Sequence, residues 1–310
     1  MDHQFIQALE ERDLPSIQAI PKSDLHNHSA LGGRLEYIER TFSIKIPRPG
    51  PEFKNFAEFT DWIDDHFVPV LGVLNGLETA LEAAFCQASD DGIVRLEMSL
   101  EASWVPKLTG SVGELISITD SIHARCAFEI DFRPELGFSR DRSVEQLIEQ
   151  FEPFLDFDYL KSIDLYKNEF AQPIGNLKPL FRMAKEKGLV LKAHVGEYGD
   201  ADSIREAVEE LELDQVQHGI SAADSPEVMK WLSDNRIQLN VCPTSNVMLC
   251  RTENMKTHPI KILHDHGVKV TVNTDDVIVF NQGVSEEFLN LYDAGLFTAI
   301  ELNEIRLNGL

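Results

Sequence analysis

Basic residues are in short supply. The 310-residue chain has 28 Lys and Arg against 52 Asp and Glu, a formal net charge of −24. Proteins that bind duplex nucleic acid or anionic membranes carry a basic footprint. Neither partner is therefore expected, although a local basic pocket is still allowed. Long apolar runs are also missing, since nothing approaches the ~20 apolar residues of a membrane span. The start, MDHQFIQALEERDLPSI, places acids where a signal peptide would have an unbroken apolar stretch. Cysteine is sparse: Cys86, Cys126, Cys242 and Cys250 form no CxxC pair. A disulfide scaffold is not expected, and reduced thiols in a cytoplasmic protein are. There is no low-complexity tract or repeat, and 43% apolar with 26% charged residues excludes a disordered chain.

What is present is an alternation of β-rich and helix-period segments. Strands are predicted at 20–26, 93–99, 127–136, 160–166, 189–195, 215–218, 237–242 and 268–274. From the fourth onward they start 29, 26, 22 and 31 residues apart, room for one strand and one helix each. Several are apolar on both faces, as parallel strands tend to be. Between them, Ile204, Ala207 and Val208 share one helical stripe, as do Leu180, Phe181 and Ala184 before a stop at Gly188. Eight such units predict a (β/α)₈ TIM-type barrel filling residues 1–310 as one domain. A doubly wound sheet is the rival, but its Gly-rich phosphate loop after the first strand is missing.

The first crossover is too long for one helix. Residues 36–86 form a helical insertion with Phe53, Phe56, Phe59, Trp62, Phe67 and Val70 at spacings of three to five. This is either an amphipathic helix packed on the barrel or an apolar lid over its mouth. Beyond strand eight only 301–307 offers a short helix, so the last barrel helices are expected to be abbreviated.

The histidines fall at informative places. His26-Asn27-His28 ends strand one, and in extended chain both rings point to one side. His194 ends strand five, with Glu197 three residues on. His218 ends strand six, and Asp275-Asp276 follow strand eight. All lie at the C-terminal ends of predicted parallel strands, where barrel enzymes place active residues. Three histidines and a carboxylate suit Zn²⁺ or a similar divalent ion. His3, His66, His123, His258, His264 and His266 fall elsewhere and receive no role.

The stretches PKSDLHNH (21–28), HVGE (194–197), QHG (217–219), VCPTSN (241–246) and VNTDD (272–276) occur in an order that resembles the adenosine deaminase family of the amidohydrolase superfamily. The resemblance implies a metal-dependent hydrolase that releases ammonia from a 6-aminopurine nucleoside or derivative, with one zinc per chain. His26, His28, His194 and Asp275 resemble its metal ligands. Glu197 resembles the proton donor to purine N1. His218 resembles the histidine beside the attacking water, and Asp276 the carboxylate that meets N7. VCPTSN reads as a strand end with a turn, apart from one contact behind the site.

Two positions depart from the family pattern. Ala30 stands where an acid is usual, two residues after His28. Lys167 stands at the end of strand four, where a glycine usually approaches the purine. Lys167 reads as a contact to an anionic substrate group, assisted by Arg34, as a solvated lysine turned away from the site, or as a carboxylated bridge between two metals. The departures point away from plain adenosine, toward a phosphorylated or otherwise substituted 6-aminopurine. A binuclear amidohydrolase and a non-catalytic ligand-binding relative are the alternative functions.

Overall fold

In the computed structural model, which describes residues 1–310, eight strands form one all-parallel sheet in sequence order. They are β1 Lys22–Asn27, β2 Ile93–Glu101, β3 Asp131–Ser139, β4 Ser162–Tyr166, β5 Val190–Val195, β6 Gln215–His218, β7 Gln238–Val241 and β8 Lys269–Val272. A parallel bridge between Asn27 and Asp275 brings the sheet's two edges together. Helices surround this ring, and 77 buried apolar residues form one connected cluster. The (β/α)₈ architecture predicted from strand spacing is thus the observed one.

Seven strands lie within two residues of their predicted bounds at either end. The third is displaced from 127–136 to Asp131–Ser139. Ala127, Phe128 and Ile130 are apolar, but they turn out of helix Val112–Cys126, with Ile130 N–H donating to Ala127 O at 2.9 Å. Phe128 is left 73% exposed.

The end of the chain also differs from expectation. Three helices follow β8: Val277–Phe280, Val284–Asp293 and Ala299–Asn308. Val284, Phe288 and Leu291, at i, i+4 and i+7, bury one face of the second. The third docks on the N-terminal helix Asp2–Glu11: Arg306 lies over the Phe5 ring at 5.1 Å and donates to Asp2 at 2.7 Å and to Pro21 O at 2.8 Å. The final unit is therefore not abbreviated.

The insertion contains helices Leu35–Phe42, Phe56–His66 and Val68–Leu71 before the long crossover helix Gly76–Asp90. Phe59 stacks on Phe280 at 5.8 Å, and Phe56 meets Tyr198 edge-on at 5.5 Å. The segment thus spans from the first crossover to the loops after β5 and β8, across the barrel mouth. No single helix is long and apolar enough to cross a membrane.

The barrel interior is markedly polar. Lys192 of β5 is fully buried, with Nζ bonded to Glu97 of β2, to Glu135 of β3 at 2.7 Å and to Leu25 O at 3.3 Å. Burial works against the ammonium, but the charges of Glu135 and Glu97 outweigh it and hold the pKa above the usual lysine value. Lys192→Met would leave two acids without their buried cation. It is expected to destabilise the fold by about 3–5 kcal/mol, measured by urea denaturation. A loss below ~1 kcal/mol would mean that the acids are not held as ions.

Candidate active site

Side chains converge at the C-terminal rim because each strand ends there. β1 delivers His26 and, one residue past its end, His28. β5 delivers His194 and β6 His218, while the segment after β8 delivers Asp275 and Asp276. His218 and Asp275 adopt left-handed backbone, with φ of 62° and 63°. Such conformations cost on the order of 1–3 kcal/mol in a non-glycine residue and cluster at functional sites.

His26 Nε2 lies 3.0 Å from His194 Nε2 and 3.3 Å from His28 Nε2. Asp275 Oδ1 is 3.2 Å from His28 Nε2 and 3.7 Å from His26 Nε2. Donors about 2.0–2.1 Å from one tetrahedral ion stand ~3.3–3.4 Å apart, so this donor set fits a divalent metal. The outer ring nitrogens are held from behind. His26 Nδ1 faces Asn240 O at 3.3 Å, and His194 Nδ1 faces the Asp164 carboxylate at 3.3 Å. A proton on each Nδ1 leaves the Nε2 lone pair directed inward, the usual tautomer of a metal-binding histidine.

The charge balance agrees. Burial and neighbouring histidines push His26 well below the usual histidine pKa. Burial opposes protonation of His28 too, but Asp276 and Asp275 overcome it and raise its pKa to about 10. Burial alone would raise Asp275, yet the His28 hydrogen bond and the histidine charges hold it well below the carboxylate range. Asp276 lacks such support, and burial beside Asp275 raises it to about 7. Burial, with Asp275 and Glu169, pushes Glu197 far above its ordinary value. His218 is pulled down to about 3 by burial, so its ring is neutral. His218 Nε2 lies 3.8 Å from both Glu197 Oε2 and Asp275 Oδ2.

Above this cluster is a cavity of about 1050 Å³, counting the space open to solvent. Its floor includes His28, His194, Glu197, His218, Asp275 and Asp276. Its roof comes from the insertion: Phe56, Phe59, Ile63, Phe67 and Leu71. Lys167 sits on the rim, exposed, and is the only lysine or arginine lining the cavity. The strand-four side chains beside the histidines are Asp164 and Tyr166, not Lys167, and a carbamate bridging two ions would need burial that Lys167 lacks. Ala30 is fully buried within the turn Ser29–Leu31, and Leu31 lines the cavity instead.

Arg34 does not assist at the cavity. Its guanidinium is committed to Glu286, to Gln87 at 2.9 Å and to Asn281 O at 2.7 Å. VCPTSN does more than turn the chain. It begins helix Pro243–Met248, from which Ser245 Oγ donates to Asp275 Oδ2 at 2.6 Å and the Asn246 amide lies 3.2 Å from His218 Nδ1. Sequence reading missed Asp164, Glu169 and the Tyr166–Glu101 hydrogen bond at the cavity wall. The one available signal was their position at the C-terminal ends of β4 and β2, shared with the histidines.

An all-parallel barrel thus carries three histidines and an aspartate together on one rim. Residues 52–310 match the family model described as adenosine deaminase. A Treponema pallidum protein named for adenosine/adenine deamination is 32% identical over 293 residues, covering 93% of this chain and 97% of its own. The adenine deaminase from Arthrobacter aurescens superposes with a TM-score of 0.82 at 24% identity, over 93% of this chain and 92% of that one. A zinc-bound amidohydrolase from Burkholderia ambifaria superposes with a TM-score of 0.80 at 20% identity, over 94% and 85%. The chain belongs to the adenosine deaminase family.

If the cluster holds an ion, free metal at about 100 times its Kd stabilises the fold by about 2.7 kcal/mol. Chelation is therefore expected to lower the thermal midpoint, and Asp275→Ala to abolish most of that difference. Indifference of the wild type to chelator would remove the cluster as a metal site.

Proposed function

We propose that the protein is a metal-dependent hydrolytic deaminase of a 6-aminopurine, with His26, His28, His194 and Asp275 holding one zinc ion per chain. The carrying observation is Glu197: a buried acid with Oε1 lacking any partner, in the same cavity as the donor cluster. The zinc-bound Burkholderia ambifaria barrel supports the choice of ion. A bound zinc ion acts as a Lewis acid and lowers the pKa of a water to about 7.

The chain's own groups perform the proton transfers. His218, neutral and 3.8 Å from Glu197, accepts a proton from the attacking water. Attack at C6 breaks ring conjugation and places charge on N1, and Glu197, held as the carboxylic acid, protonates that atom. The C6–O bond forms, His218 passes the proton it took to the C6 amine, and the C6–N bond breaks so that ammonia leaves, while the C6 hydroxyl gives its proton to the Glu197 carboxylate as the C6=O bond forms. Purine N7 is a hydrogen-bond acceptor, so Asp276 binds it in the protonated form that its raised pKa favours. The insertion acts as a lid, covering the base with apolar side chains and excluding water. Lys167 contacts an acceptor on the substrate's outer end.

Ammonia release from adenine, adenosine and AMP by metal-replete protein tests the reaction class, and failure on a broad aminopurine panel would defeat it. Glu197→Gln is expected to keep the metal and lose at least ~10²-fold in kcat. Because Glu197 must be protonated, wild-type kcat should fall as pH rises through its elevated pKa. Near-wild-type turnover of the variant would exclude Glu197 as the acid.

Lys167→Ala is expected to lower kcat/KM for the preferred substrate about tenfold or more, the equivalent of a charge-assisted contact of ~1.5–3 kcal/mol. An unchanged value across adenine, adenosine and AMP would make Lys167 a bystander.

A further inference from the structure

Glu169 lies three residues beyond β4 and is 6% exposed. Its carboxylate accepts four consecutive backbone N–H groups from the loop that carries Glu197. Oε1 takes Glu197 N–H at 2.9 Å and Tyr198 N–H at 2.7 Å, while Oε2 takes Gly196 N–H at 2.9 Å and Gly199 N–H at 3.2 Å. Buried N–H groups need partners, and this loop draws four of them from a single side chain on the neighbouring strand end.

The loop is shaped around that carboxylate. Gly196 leaves β5 with φ of +71°, and a Cβ there would fall 2.4 Å from Ile204. At Gly199 a Cβ would fall 2.8 Å from Glu169 Oε2 and 2.6 Å from Ser203 Oγ. The segment is thus packed between helix Ala201–Leu211 on one side and the Glu169 carboxylate on the other. The Glu197 side chain starts from this tethered backbone and ends with Oε1 unpartnered in the cavity.

We propose that Glu169 is a positioning residue for the deamination: it fixes the 196–199 backbone so that the Glu197 carboxyl meets the substrate ring nitrogen. The assignment rests on the reading of Glu197 as the proton donor. Glu169 touches no substrate and acts only through the loop.

The expected signature follows from geometry. Glu169→Gln keeps the side-chain shape, but turns an NH₂ group toward two of the four N–H donors. A misplacement on the order of 1 Å in a reacting group can cost about 10²-fold in rate. In metal-replete protein, kcat is therefore expected to fall about 10²-fold, with KM changed less than about threefold and metal content retained. The amides of residues 196–199 should lose hydrogen-exchange protection while those of β5 and helix Ala201–Leu211 keep theirs. In a Glu197→Gln background, adding Glu169→Gln should cost less than about twofold, since residues that act as one unit are not additive.

Equal losses in the two backgrounds would overturn the assignment and leave Glu169 with general structural importance only. Unchanged protection at 196–199 would overturn it as well. If Glu169→Gln fails to fold, Glu169→Asp keeps the charge one methylene further back. That variant should show the same pattern with a smaller loss, and full activity with full protection would again refute the role. Absence of turnover in the wild type would defeat the deaminase reading and with it the catalytic half of this assignment. The exchange measurement judges the tether separately.

Discussion

The site depends on one seam, where the first strand meets the end of the last. Between β1 and the segment after β8 the usual ladder is largely replaced by side chains. Asn273 Oδ1 accepts Leu25 N–H at 2.8 Å, while the Asp24 carboxylate accepts Thr274 N–H at 3.3 Å and Thr274 Oγ1–H at 2.6 Å. Only then does Asp275 N–H reach His26 O, at 2.9 Å. His26 and His28 stand on one side of the seam and Asp275 and Asp276 on the other, about 250 residues away in sequence. Side-chain partners select a register that a bare ladder would permit to slip, and a slip of one residue turns the alternate faces over. Closure of the barrel and assembly of the donor set are therefore one event.

The polar interior below the rim extends that constraint. Asn240 shows how: its backbone oxygen faces His26, while its side chain bonds Gln215 at 2.8 Å, Gln217 at 2.9 Å and Thr271 at 2.9 Å. Asp164 similarly faces His194 from β4. Groups of this kind are costly to bury unless paired, and the Lys192–Glu97–Glu135 cluster supplies paired charge at the centre. The connected apolar cluster between strands and helices offsets the expense. The outcome is a rim whose imidazoles are oriented from below before any ligand arrives.

Much of this was legible in the sequence, because the barrel repeats one physical unit. Parallel strands buried on both faces leave apolar runs, and the rim rule turns four scattered short stretches into a single place. His26, His28, His194, His218, Glu197, Asp275 and Asp276 all come together as their strand-end positions required. The less legible features are those set by partners far along the chain. Arg34 has the chemistry of an anion contact, but Glu286 and Asn281, about 250 residues away in sequence, occupy its guanidinium. Glu169 was one acid among 52, and nothing local marks it as the acceptor for a loop thirty residues away. Phe128 has the apolar character of a strand residue, but that character does not say which way a turn will point. Helix Val284–Asp293 differs, since the i, i+4, i+7 spacing of Val284, Phe288 and Leu291 is local and visible in the sequence itself.

Three carboxyl groups crowd one cavity, and their surroundings shift them in different directions. Asp275 is held below the carboxylate range chiefly because His28 donates to it. Once that charge is in place, Glu197 and Asp276 are buried beside an existing anion and favour the proton-bearing form. Like charges at such range cannot all persist in a low-dielectric site. In the proposed reaction this sorting has chemical use. Asp275 serves a cation, whereas the raised pKa of Glu197 and Asp276 favours their acting as hydrogen-bond donors, and N1 and N7 of an aminopurine are both acceptors. A chain with a net charge of −24 can in this way present donors to a neutral ring without recruiting basic side chains to the cavity floor.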